Sequence, residues 1–170
     1  MTLLSLNGTV PGDWGLLEKN EAPTEGANVA VPLARFLSAK EEFFVSAGAV
    51  GVLIDTETSY TDLAPLVNKL SFVAINFLAF TDGRGFSLAV RLRKDLGFKG
   101  EIRATGHAIP DQALFLLRAG FDTADVADER KEAFENALSR FNSFYQADYQ
   151  GRASVAHQRH TQSEEQRKAS

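Results

Sequence analysis

The sequence contains no cysteine. That absence removes disulfides, thiolate nucleophiles, zinc–thiolate centres and cysteine-ligated iron–sulfur clusters from the possible chemistry. A basic surplus is also missing: 18 Lys and Arg face 22 Asp and Glu, for a net charge of −4. A nucleic-acid binder normally carries a basic face, so no nucleic-acid partner is expected. No apolar run approaches the length of a membrane span, and the first residues, Met1 to Leu6, have neither the positive region nor the long apolar run of a secretory signal. The expectation is a soluble, cytoplasmic protein that does not engage membranes. Carboxylates and histidines do not cluster at metal-ligand spacing, so no metal site is expected; His157 and His160, three apart in a polar stretch, read as incidental.

What the chain does have is enough apolar residue, 44% of 170, to bury a substantial core. Leu3–Leu6, Asn7-Gly8 and Thr9-Val10 suggest an N-terminal β-hairpin arm (residues 1–14), because Asn-Gly favours a tight two-residue turn. Trp14, the only tryptophan, is expected to anchor that arm to the body. Val29–Val31 suggests a short strand, and Pro32 opens a helix through about Phe44. The unbroken apolar run Gly48–Ile54 suits a strand covered on both faces, as in a parallel sheet. After it come a helix capped by Thr61 or Asp62, a strand over 71–76 and a helix ending at Gly97. A strand over 101–105, a helix from Pro110 to Gly120, a strand over 121–126 and a helix capped by Asp128 follow. That last helix carries an apolar stripe of Phe134, Ala137, Leu138, Phe141, Phe144 and Tyr145.

The pattern is four consecutive βα units forming a parallel α/β sheet, either half-barrel-like or open and doubly wound. Residues 1–150 read as one domain, and 151–170 as a polar C-terminal tail. The segment Ala113–Leu117 is apolar nearly all round, which suits deep burial or a homodimer contact.

Functional loops of such a sheet lie at the C-terminal ends of its strands. There the run Phe80-Thr81-Asp82-Gly83-Arg84-Gly85-Phe86-Ser87 joins a strand to a helix. It is neither a Walker loop nor a dinucleotide fingerprint, and no Gly-x-Ser-x-Gly elbow occurs. With Ser87 as helix N-cap, the free N–H groups of Gly85 to Ser87 together with Arg84 would hold a small anion. The alternative is a tight turn pinned by an internal contact of Asp82 with Arg84 or Arg103. Arg103, a charge in a strand, either points into a site or pairs with Asp82 or Asp125. His107 is a loop histidine, and Asp111 suits the first turn of a helix by charge alone.

The chain from about Leu3 to Gln150 resembles a bacterial family of unknown function, numbered 934 and often labelled an oxidoreductase of sulfite reduction. The resemblance rests on Leu6–Val10 with Asp13-Trp14, on Phe80–Ser87, and on Leu92-Arg93 with Gly97–Gly100. It continues in Arg103-Ala104 with Gly106, Asp111-Gln112 and Gly120–Asp122. It implies a companion of a sirohaem sulfite or nitrite reductase and specifies no cofactor. The matched positions Thr81, Asp82, Gly83, Arg84, Gly85, Ser87, Arg103, Gly106 and Asp111 become the candidate site. His107 stands where an acidic residue is usual, and Ala119 where many members carry Cys, which argues against an essential histidine and against a thiol mechanism.

Two readings follow. In the first, the protein is a non-catalytic accessory of sulfite or nitrite reduction that binds a small anion, or the anionic group of a cofactor, at loop 81–87. In the second, it is an enzyme on a barrel-like scaffold, with Asp82 or Asp111 as acid/base and Arg84 and Arg103 clamping an anionic substrate.

Overall fold

The computed structural model describes residues 1–17, 21–141, 144–150 and 154–155. Six strands run parallel: β2 (Gly15–Leu16), β3 (Asn28–Pro32), β4 (Ala49–Asp55), β5 (Phe72–Phe77), β6 (Glu101–Gly106) and β7 (Thr123–Val126). They lie side by side in the order of the chain, and β1 (Thr2–Ser5) adds antiparallel to β7 at the far edge. A right-handed crossover that always steps in one direction leaves every connecting helix on the same face. The sheet is therefore a curled half-barrel, and the doubly wound alternative, which needs a reversal of strand order, does not apply.

The helices are α1 (Leu33–Ser46), α2 (Tyr60–Leu63), α3 (Arg84–Lys94), α4 (Ala113–Ala119) and α5 (Lys131–Ser139). Five βα units are present rather than four, because β3 and α1 form the first. Val50, Val52, Ile54, Val73, Ile75, Phe77, Ile102 and Ala104 point to the helices and form the main core. The rings of Phe77, Phe86 and Phe121 close it where β5 meets α3 and β7, with centroids 5.2 to 6.4 Å apart. No helix among the described residues is long and apolar enough to cross a membrane.

Several local expectations are corrected. The N-terminal hairpin does not form. β1 pairs instead with β7, which buries Leu4 and Leu6, whereas Val10 stays 86% exposed and would have gained nothing as a hairpin partner. Asn7 still turns the chain, accepting the Thr9 N–H at 2.9 Å beside a left-handed Gly8. Ser59, not Thr61 or Asp62, caps α2. Asp128 lies in the first turn after β7 and takes the Thr2 hydroxyl at 2.6 Å instead of capping α5. The stripe on α5 stops early: the helix ends at Ser139, Phe141 is exposed, and Phe144 lies under the Arg118 guanidinium at 4.5 Å. On α4, Leu116 is buried and Phe115 is 61% exposed. The pair His157 and His160 lies outside the described residues.

β1 and β2 occupy opposite edges, so the connection between them must cross the sheet. It crosses the helix-free face at the N-terminal ends of the parallel strands. Trp14 stacks on Phe72 at 4.6 Å, and its indole N–H donates to Glu101 at 3.2 Å. The tryptophan thus fastens the arm to the body.

Candidate functional site

The β5–α3 connection begins where Phe77 ends its strand and α3 starts at Arg84. Gly83 is the N-cap residue, so Ser87 lies inside the helix and does not cap it. The capping work falls to Asp82, whose Oδ1 accepts the Arg84 N–H at 3.1 Å. Its carboxylate also takes the Arg84 Nε–H at 2.9 Å, the Nη2–H at 2.8 Å and the Thr56 hydroxyl. The Arg84 guanidinium, then the Thr56 hydroxyl, hold the Asp82 carboxyl well below the usual carboxylate range. Those partners hold the Asp82 carboxylate at the start of α3 as an anchor of the loop. Arg84 reaches Glu57 with its third nitrogen, at 3.2 Å. At the positive end of α3 the protein's own Asp82 carboxylate takes the Arg84 N–H. Of the internal contacts open from the sequence, the Asp82–Arg84 pair is the one formed.

The two loop glycines differ in purpose. A Cβ on Gly85 would meet the Phe77 ring at 2.6 Å, so this glycine lets α3 sit directly on the core. Gly83 has φ −76° and open space around it. Gly85→Ala should therefore cost about 1–3 kcal/mol by overpacking. Gly83→Ala should be neutral or stabilising by up to about 1 kcal/mol. Urea unfolding midpoints of the two variants check this; equal midpoints would mean that the Phe77 contact does not constrain the loop.

The remaining candidates do not converge on this loop. Arg103 projects from the middle of β6 onto the helix-free face, registered with Ala74 and Thr123. There it bonds Glu101 at 2.9 Å and the Gly12 carbonyl at 2.9 Å, with its guanidinium 4.9 Å over Phe72. Its partner is thus Glu101, neither Asp82 nor Asp125, and a clamp with Arg84 is not formed. The strand alternation decides this, because Arg84 lies on the helix side. Gly106 ends β6 with φ 82°, and a Cβ there would run into the Asn76 side chain. His107 is exposed, its N–H bonded to the Phe77 carbonyl at 2.8 Å. Thr81 and Asp111 are exposed. Asp111 sits in the turn Pro110–Gln112, which Gln112 ties to the Phe80 carbonyl at 2.6 Å.

A pocket does open beside the loop. It has a volume of about 220 Å³ and lies between the 56–60 segment and one face of α3. Arg84, Ser87, Leu88 and Arg91 line it from the helix, and Thr56, Thr58, Ser59 and Tyr60 from the segment opposite. The Arg91 guanidinium stacks on Tyr60 at 4.7 Å. Arg91 has no carboxylate partner among the described residues. Thr58, Ser59, Tyr60 and Arg91 are absent from the sequence-derived candidates. The signal for Arg91 was present: positions 84, 87, 88 and 91 follow i, i+3, i+4, i+7 and share one helix face.

A family model described as a bacterial protein of unknown function (DUF934) matches residues 51–156, well over half of the chain. The match starts within β4, so the arm and the β3–α1 unit lie outside it. A search of curated proteins found none that matches this chain. Most of β4, all of the elements from α2 to α5, the Asp82–Arg84 loop and the pocket beside it fall within the matched span: the chain belongs to the DUF934 family.

Proposed function

We propose that this protein is a non-catalytic accessory of sulfite or nitrite reduction that holds a small oxyanion, or the anionic group of a cofactor, between the 56–60 segment and α3. Arg91 carries the reading. It is a cation without a carboxylate partner among the described residues, its plane fixed by Tyr60, in a pocket whose other polar groups are mostly hydroxyls. Arg84 adds a second guanidinium, 59% exposed despite its bonds to Asp82 and Glu57. A charge-assisted hydrogen bond from either contributes about 1.5–3 kcal/mol. The sulfite association implied by the sequence resemblance makes sulfite the first anion to test and a sirohaem reductase the partner to supply or receive it. The exposed Phe115 ring on α4 suits the homodimer suggested by the apolar 113–117 segment.

Thermal unfolding with sulfite, nitrite, sulfate, phosphate and nucleotides tests the reading. An anion at a hundred times its Kd should stabilise the protein by about 2.7 kcal/mol. Arg91→Ala should remove the shift while unfolding at the wild-type temperature in buffer. If none of these anions shifts the transition, or if Arg91→Ala retains the full shift, the assignment fails.

A further inference from the structure

At the N-terminal ends of the strands the arm lies on the helix-free face, with Trp14 on Phe72 and Gly12 bonded to Glu101 and Arg103. Toward the C-terminal ends, strand register sets polar side chains of that face in one row. Asn76 on β5 is registered with Thr105 on β6. The Ala104–Ala124 pair then puts Thr105 beside Asp125 on β7. All are half-buried, yet their hydrogen-bonding capacity is almost unused. Asp125 accepts no hydrogen bond and forms no ion pair among the described residues, and the Asn76 amide makes no hydrogen bond either. Thr105 reaches only the Ile75 carbonyl, at 3.5 Å. A Cβ on Gly106 would stand 2.4 Å from Asn76 Oδ1, so this glycine leaves the amide its place over the end of β6, next to Thr105. Burial pushes the Asp125 pKa up against the opposing charge of Arg103, so the ionised form costs the folded state stability. An unsatisfied carboxylate, amide and hydroxyl side by side do not serve the fold. They lie where ligands bind to parallel βα sheets, at the C-terminal ends of the strands.

We infer that this row is a binding site for the ammonium group of a small amine. An ammonium donates hydrogen bonds and accepts none, and the row offers it the Asp125 carboxylate, Thr105 Oγ1 and Asn76 Oδ1 as acceptors. Neighbouring strands are about 4.8 Å apart, and side chains on the inner face of a curled sheet lean together, so one ligand atom can meet all of them. The charge also selects a cation. Glu101 and Arg103, nearer the N-terminal ends, neutralise each other at 2.9 Å, and Asp125 is left without a counter-ion among the described residues. The inference does not depend on the anion pocket, which α3 lines on the helix side of the sheet.

The probes are n-butylamine, n-butanol and butyrate, which share a chain and differ in the end group. Each is titrated into the full chain at constant ionic strength and followed by thermal unfolding. Only n-butylamine should stabilise the protein. Asp125→Asn and Thr105→Val should each raise its Kd at least tenfold, and Glu132→Gln on α5 should leave it unchanged. Without any probe, Asp125→Asn should raise the urea midpoint at neutral pH, because it removes a charge that the fold leaves unsatisfied. A lowered midpoint would make the carboxylate a structural partner and overturn the inference. Equal stabilisation by n-butanol or butyrate overturns it too, as does no stabilisation by n-butylamine, or row variants that bind it no more weakly than Glu132→Gln.

Discussion

Asp122→Ala should destabilise the protein by about 3–5 kcal/mol, because it leaves a buried arginine without its counter-charge. Arg93 is 8% exposed and is held on every side. It donates to the carbonyls of Gly120 at 3.0 Å, Phe98 at 2.9 Å and Gly100 at 2.8 Å, and ion-pairs with Asp122. Asp122 in turn accepts the Ile102 N–H and the Asn7 amide, each at 2.8 Å. One ion pair thus joins the end of α3, the α3–β6 loop, the start of β7 and the N-terminal arm. An ordinary buried pair is often replaced by two apolar residues with little loss. This one should not be, since Arg93 also satisfies three backbone carbonyls that would become orphans. The double variant Arg93→Met, Asp122→Leu should therefore remain destabilised. Urea titrations of wild type, both single variants and the double variant check this. A double variant as stable as wild type would show the network to be dispensable. Because the pair lies at the end of the sheet opposite the α3 pocket, anion-dependent stabilisation of Asp122→Ala should persist at temperatures where it is folded.

Glu101→Ala should be comparably costly, about 3–5 kcal/mol, since it strands Arg103, which is 9% exposed. The Glu101 carboxylate accepts the Thr123 hydroxyl at 2.6 Å, the Gly12 N–H at 2.9 Å, the Trp14 indole at 3.2 Å and two nitrogens of Arg103. Burial pushes its pKa up, but the Thr123, Gly12 and Arg103 donors outweigh that and bring it below the ordinary value of 4.5. The sign follows directly. The folded carboxyl titrates below the unfolded one, so its contribution is complete above the unfolded pKa. It is lost as pH falls through the folded pKa. Wild type should lose stability on acidification below about pH 4.5, and Glu101→Gln should lose less over the same range while being weaker at neutral pH. Trp14, the only tryptophan, reports the contact itself. Its emission should shift to the red in Glu101→Gln before global unfolding. An unchanged emission would mean that stacking on Phe72 alone holds the arm.

Much of the scaffold is legible in the sequence. The run Gly48–Ile54 reads as a buried strand because both its faces are covered. Pro32 opens α1, and Gly120 closes α4 in the left-handed conformation, φ 104°. The site is less so. That Thr81–Ser87 matters can be read from its place between strand and helix, but what Arg84 grips cannot. Its second partner, Glu57, comes from a loop 27 positions earlier. Arg103 is ambiguous for the same reason. Parity puts it opposite Ala74, but only the chain crossing from β1 to β2 brings Gly12 to it.

The sequence by itself determined most of the strands and helices from β3 onward and their parallel βα order, because proline, glycine and apolar periodicity act over a few residues. The tertiary structure decided the single direction of winding, the pairing of β1 with β7 in place of a hairpin, and the ion-pair partners. It also decided the pocket along α3. Those outcomes depend on which surfaces far apart in the chain bury each other, and charges choose their partners only after the faces are assigned.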